Sequence, residues 1–107
     1  MMELLNIKKS DKMYGVLFDI VDAILSTEDE KYIEEISLSN DCIAPSGAVE
    51  ENRIHIYVET SLEFKNHDLY DALNDLEEKY DNKFFFIGSV EPNVAERCSD
   101  VTPLYKK

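Results

Sequence analysis

Arg53-Ile54-His55-Ile56-Tyr57-Val58-Glu59-Thr60 alternates apolar and polar residues through Glu59. A two-residue period belongs to a strand, which sets Ile54, Ile56 and Val58 inward and His55, Tyr57 and Glu59 outward. Upstream, Pro45-Ser46-Gly47 breaks the pattern, and before it Glu35 to Ile43 carries Ile36, Leu38 and Cys42 as a second strand. Downstream, with Asn66 as a cap, Leu69, Ala72, Leu73, Leu76 and Tyr80 form one apolar stripe of a helix over 67–81. Lys83 to Val90 follows with Phe84-Phe85-Phe86-Ile87, apolar on both faces, which predicts a central strand.

Towards the N-terminus, Val16, Leu17, Ile20, Val21, Ile24 and Leu25 recur at helical spacing and predict a helix over 12–26, with Ser10 or Asp11 as its cap. Gly15 weakens that helix by about 1 kcal/mol. Glu3 to Lys8 is expected as a short strand with Leu5 and Ile7 on one face. Thr27 and Glu30 resemble a capping box opening a further helical turn. Beyond Pro92, Val101, Leu104 and Tyr105 supply an edge strand or a cover over the core. The order is β-α-β-β-α-β plus a C-terminal extension over 91–107. This is the ferredoxin-like, split-βαβ arrangement: one α+β domain spanning 1–107, with an antiparallel sheet and two helices on one face.

The chain has 107 residues, 44% of them hydrophobic, spread along its length, which suits a single globular domain. No apolar run reaches the length of a membrane span, and the N-terminus lacks the basic and apolar regions of a secretory leader. A cytoplasmic location is therefore expected. Cys42 and Cys98 have neither metal-ligand spacing nor the density of a disulfide scaffold and are expected as free, mostly buried thiols, with a single long-range disulfide as the alternative.

Charge is the dominant feature. There are 23 acidic against 11 basic residues, a net charge of −12, and Lys8, Lys9, Lys12, Lys106 and Lys107 lie at the two ends. The middle of the chain is thus an anionic body, which repels nucleic acid and anionic lipid and speeds encounter with cationic partners.

No catalytic motif stands out. His55 and His67 are the candidate bases, but no G-x-S-x-G surrounds a serine and neither cysteine has a recognisable catalytic context. His67, Asp68 and Asp71 have a spacing that a metal could use. Carboxylates at a helix N-terminus are favourable without one, by about 0.3–1 kcal/mol. Gly15, Gly47 and Gly88 are too dispersed for a phosphate loop. No enzyme activity, cofactor or metal is expected.

The second helix says more. Opposite its apolar stripe lie Asp71, Asn74, Asp75 and Glu78, flanked by Tyr70, Glu77 and Asp81. Like charges at three- and four-residue spacing (Asp68/Asp71, Asp71/Asp75, Asp75/Glu78, Glu77/Asp81) outnumber the favourable pair Asp75/Lys79. They cost the isolated helix roughly 1 kcal/mol. Glu77, Glu78 and Asp81 also crowd the carbonyl end, where the helix dipole favours cations. This arrangement does not serve helix stability. Tyr70, a residue type enriched at interface hot spots, sits on the polar flank. A second acidic cluster, Glu28, Asp29, Glu30, Glu34 and Glu35, reads as a solvated connection. The first helix has a surplus: Tyr14, Phe18 and Leu25 widen its apolar arc beyond what one sheet needs, so the C-terminal extension or a second copy of the chain must cover it.

The expected function is a small acidic cytoplasmic protein that inhibits a basic partner, of the bacterial immunity type that neutralises a toxin such as a nuclease. Tyr70, Asp71, Asn74, Asp75, Glu77, Glu78 and Asp81 would form the contact. A DNA mimic acting on nucleic-acid-binding enzymes ranks lower, because Lys31, Lys79 and Lys83 interrupt the acids. A small-ligand regulatory module or weak enzyme, with a pocket near His55 or at a dimer seam, has no convergent polar groups in the sequence to support it.

Overall fold

A computed structural model describes residues 3–39, 41–42, 54–61, 68–80, 83–89, 98–99 and 101–107. The predicted strand is β3, Ile54–Thr60, and it lies inside a sheet of order β4-β3-β1-β6, with β1 at Ile33–Ser39, β4 at Phe84–Ser89 and β6 at Thr102–Lys106. β1 pairs antiparallel with both β3 and β6, whereas β4 pairs parallel with β3. A parallel pair needs a crossover, and helix α2, Asp68–Lys79, supplies it between β3 and β4. A two-stranded ribbon of β2, Asp41–Cys42, and β5, Cys98–Ser99, completes the strands.

Helix α1, Tyr14–Leu25, forms where the apolar spacing requires it and buries Leu17, Ile20, Val21 and Ile24. Asp11 organises its entry: Oδ1 accepts the Met13 N–H at 2.8 Å and its carbonyl accepts the Tyr14 N–H at 3.1 Å. These side chains join Leu69, Leu73 and Leu76 of α2 and Ile36, Ile56, Val58, Phe84 and Leu104 of the sheet in one core. Both helices therefore cover the sheet face on which Ile36 opposes Val58 and Leu38 opposes Ile56. The α+β class, the antiparallel strands and the two helices are as expected.

Several local expectations are corrected. The chain bends over 5–7, and no strand forms within 3–8. Asn6 has a φ of 60°, a left-handed conformation that Asn tolerates better than most residues and that interrupts a strand. Leu4 is buried instead of Leu5, and the segment is tied to β6 by Leu5 N–H to the Leu104 carbonyl at 2.9 Å and Asn6 Nδ2 to the Pro103 carbonyl at 2.8 Å. The sheet position next to β1 is filled by the C-terminal strand β6. The described strand order therefore departs from the ferredoxin-like one.

β4, predicted central, is terminal in the described order, since β1 holds the other edge of β3. Thr27 makes no capping box. Its Oγ1 donates to the Ile24 carbonyl at 2.9 Å, finishing α1, and Glu30–Tyr32 is a single 3-10 turn leading into β1.

The outward face of β3 is also covered. His55 and Tyr57 are buried, as are Ser37 and Ser39, their partners across β1. Alternation reports two faces correctly, but one strand's polarity does not reveal what packs against the second.

Candidate acidic interface

Construction of the acidic face starts at the α2 N-terminus. The first amides of a helix lack partners within it and attract an anion. Here the anion comes from forty positions earlier: Asp29 Oδ2 accepts the Leu69 N–H at 2.9 Å. Asp29 is fully buried, and among the described residues its Oδ1 has no hydrogen-bond partner. The cap expected from Asn66 lies outside the described residues.

This contact joins what the sequence separates. Asp29 belongs to the acidic connection, so that connection is fastened to the first turn of α2, where Asp68 and Asp71 stand. The connection is a structural device as well as a solvated segment.

Along α2 the period holds. Leu69, Leu73 and Leu76 face the core, and Asp71, Asn74, Asp75 and Glu78 are exposed. Tyr70 is one of two exposed large apolar residues among those described, at 38% of its full accessibility. Glu77 is half-buried, and Asp81 lies outside the described residues. Five of the seven expected contact residues thus share an open surface. At the carbonyl end Lys79 interrupts the acids, its ammonium 5.4 Å from the centroid of the Tyr80 ring. That ring meets Phe84 edge-on at 5.5 Å and ties the helix to β4.

A second carboxylate group lies at the sheet. Glu35 and Glu59 are opposite one another on β1 and β3, a placement that costs stability for like charges. Burial, then the charges of Glu35 and Glu34, then a hydrogen bond with Glu35 push the Glu59 carboxyl above its ordinary value. Lys106 offers Glu35 a loose ion pair at 3.7 Å.

Two concave surfaces lie among the described residues. A notch of about 500 Å³ is lined by Lys31, Tyr32, Glu34, Ser61 and Lys107, and a groove of about 370 Å³ by Glu3, Leu5, Leu25, Glu30, Tyr105 and Lys106. Neither lining pairs a nucleophile with a histidine base. Among the described residues no group of three or more His, Cys, Asp or Glu is placed to hold a metal ion, and His67 is not among them. Among those residues, too, no helix is long and apolar enough to cross a membrane.

The surplus arc of α1 is accounted for in part: Tyr14, Phe18 and Leu25 are half-buried against the core, Tyr14 stacks on Phe18 at 6.2 Å, and Leu25 shares the groove with Leu5 and Tyr105. Comparison with family models, curated proteins and solved structures returns no match.

Proposed function

We propose that this chain is a small acidic binding protein that inhibits a basic protein partner, of the immunity type that neutralises a bacterial toxin such as a nuclease in the cytoplasm. The observation that supports this reading is the outer face of α2, where exposed Tyr70 stands with exposed Asp71, Asn74, Asp75 and Glu78. Side chains that repel one another along a helix are retained where something outside the helix uses them. An anionic face steers a cationic partner into encounter, and an aromatic ring on its flank supplies the desolvated anchor that charge alone lacks.

The test is affinity capture from the native host at low and high salt, with wild-type chain and the Asp71→Lys/Asp75→Lys/Glu78→Lys variant as parallel baits. A basic protein retained by the wild type and lost from the variant, with faster loss at high salt, is the expected result. An identical set of proteins on both baits would end this reading.

A further inference from the structure

We propose that Cys42 and Cys98 close an intramolecular disulfide across the β2–β5 ribbon. At the end of the β1–β6 pair, Ser37 opposes Pro103 and Leu38 opposes Thr102. Moving forward along one strand and back along the other without a slip reaches Asp41 opposite Ser99 and then Cys42 opposite Cys98. The ribbon therefore continues the β1–β6 register, and the placement of the cysteines is inherited from a pairing anchored in the core by Ile36 and Leu104. Directly opposed residues of an antiparallel pair share a face, with Cα atoms about 4.5 or 5.5 Å apart according to the hydrogen-bonding pattern. Both spacings fall in the roughly 4.4–6.8 Å range of disulfides. A shift of one residue would put the two on opposite faces. These are the two cysteines of the chain, so each is the other's sole intramolecular partner.

The bond forms by exchange with a small disulfide of the glutathione type. One cysteine thiolate attacks the oxidant and expels a thiolate, leaving a mixed disulfide. The second cysteine, deprotonated, attacks that bond and expels the other thiolate. The protein gives up two protons and two electrons, and the oxidant is reduced to two thiols. In a reducing compartment the pair rests as thiols and closes under oxidation. The closed loop encloses β3, α2 and β4, so the bond constrains the unfolded chain and raises the melting temperature.

The full chain, reduced and desalted, is incubated with excess oxidised glutathione, alkylated, and analysed by intact mass and peptide mapping. A monomer about 2 Da lighter than the reduced chain, free of glutathione, with one cross-linked peptide pair joining Cys42 to Cys98, is expected. Its melting point should fall by several degrees on reduction, a response absent from Cys42→Ser, which should keep a glutathione adduct on Cys98. Persistent adducts on the wild type, disulfide-linked dimers, or two thiols still free at completion would each overturn the proposal.

Discussion

On α2 the carboxylates of Asp71, Asp75 and Glu78 stand in solvent, whereas Asp29, in the acidic connection before β1, is buried and bound to the backbone of that same helix. The chemical group is the same in both places. Its effect differs with what it faces: Asp29 meets an amide that has no partner within the helix, and the α2 acids Asp71, Asp75 and Glu78 face solvent. Charge count alone does not separate these roles, but hydrogen-bonding position does.

Removing the buried carboxylate should have the largest effect. Asp29→Ala deletes a cap and leaves the Leu69 amide unsatisfied, so stability should fall by about 2 kcal/mol. Thermal melting should show a loss of about 10 °C for a domain of this size. Asp29→Asn keeps an acceptor and should lose less. Equal melting of Asp29→Ala and wild type would show that the cap contributes nothing.

A neutral reference for the scale comes from α1. Gly15 is exposed, and a Cβ added there meets nothing within 4 Å, so Gly15→Ala should stabilise by about 0.5–1 kcal/mol in chemical denaturation.

The smallest effect is expected at Glu59, where like charges meet on the sheet. Its raised folded-state value means that protonation favours the fold. That contribution is complete below the ordinary carboxylate value of 4.5 and is lost as pH rises through the folded value. At neutral pH the ionised group is a small cost, about 0.5 kcal/mol or less after solvent screening. Glu59→Gln should therefore raise stability at pH 7, with the gain vanishing below about pH 4.5. A gain that persisted in acid would point to packing instead of charge.

These contrasts also mark what the sequence could reveal. α1, β3, α2 and β4 fall within a residue or two of their expected spans, because each is set by a period that its own side chains carry. The outer face of α2 was legible for the same reason. Asp29 was not, since its partner amide lies forty positions away and no local pattern joins them. The missing strand at 3–8 coincides with a left-handed backbone at Asn6, which no local alternation announces, and Leu4 rather than Leu5 is buried. The burial of His55 and Tyr57 depends on what covers the second face of the sheet, which the alternation of β3 cannot report. The opposition of Cys42 and Cys98 appears once the register of β6 against β1 is known.

The claim that the exposed acids of α2 are not there for stability has a direct test in the melting temperature of Asp71→Asn/Asp75→Asn/Glu78→Gln across a salt series. At low ionic strength the triple variant should melt above the wild type, and screening should close the gap as salt rises. A variant that melts below the wild type at every salt concentration would mean that these carboxylates hold the fold together, and the anionic face would lose its standing as a binding surface.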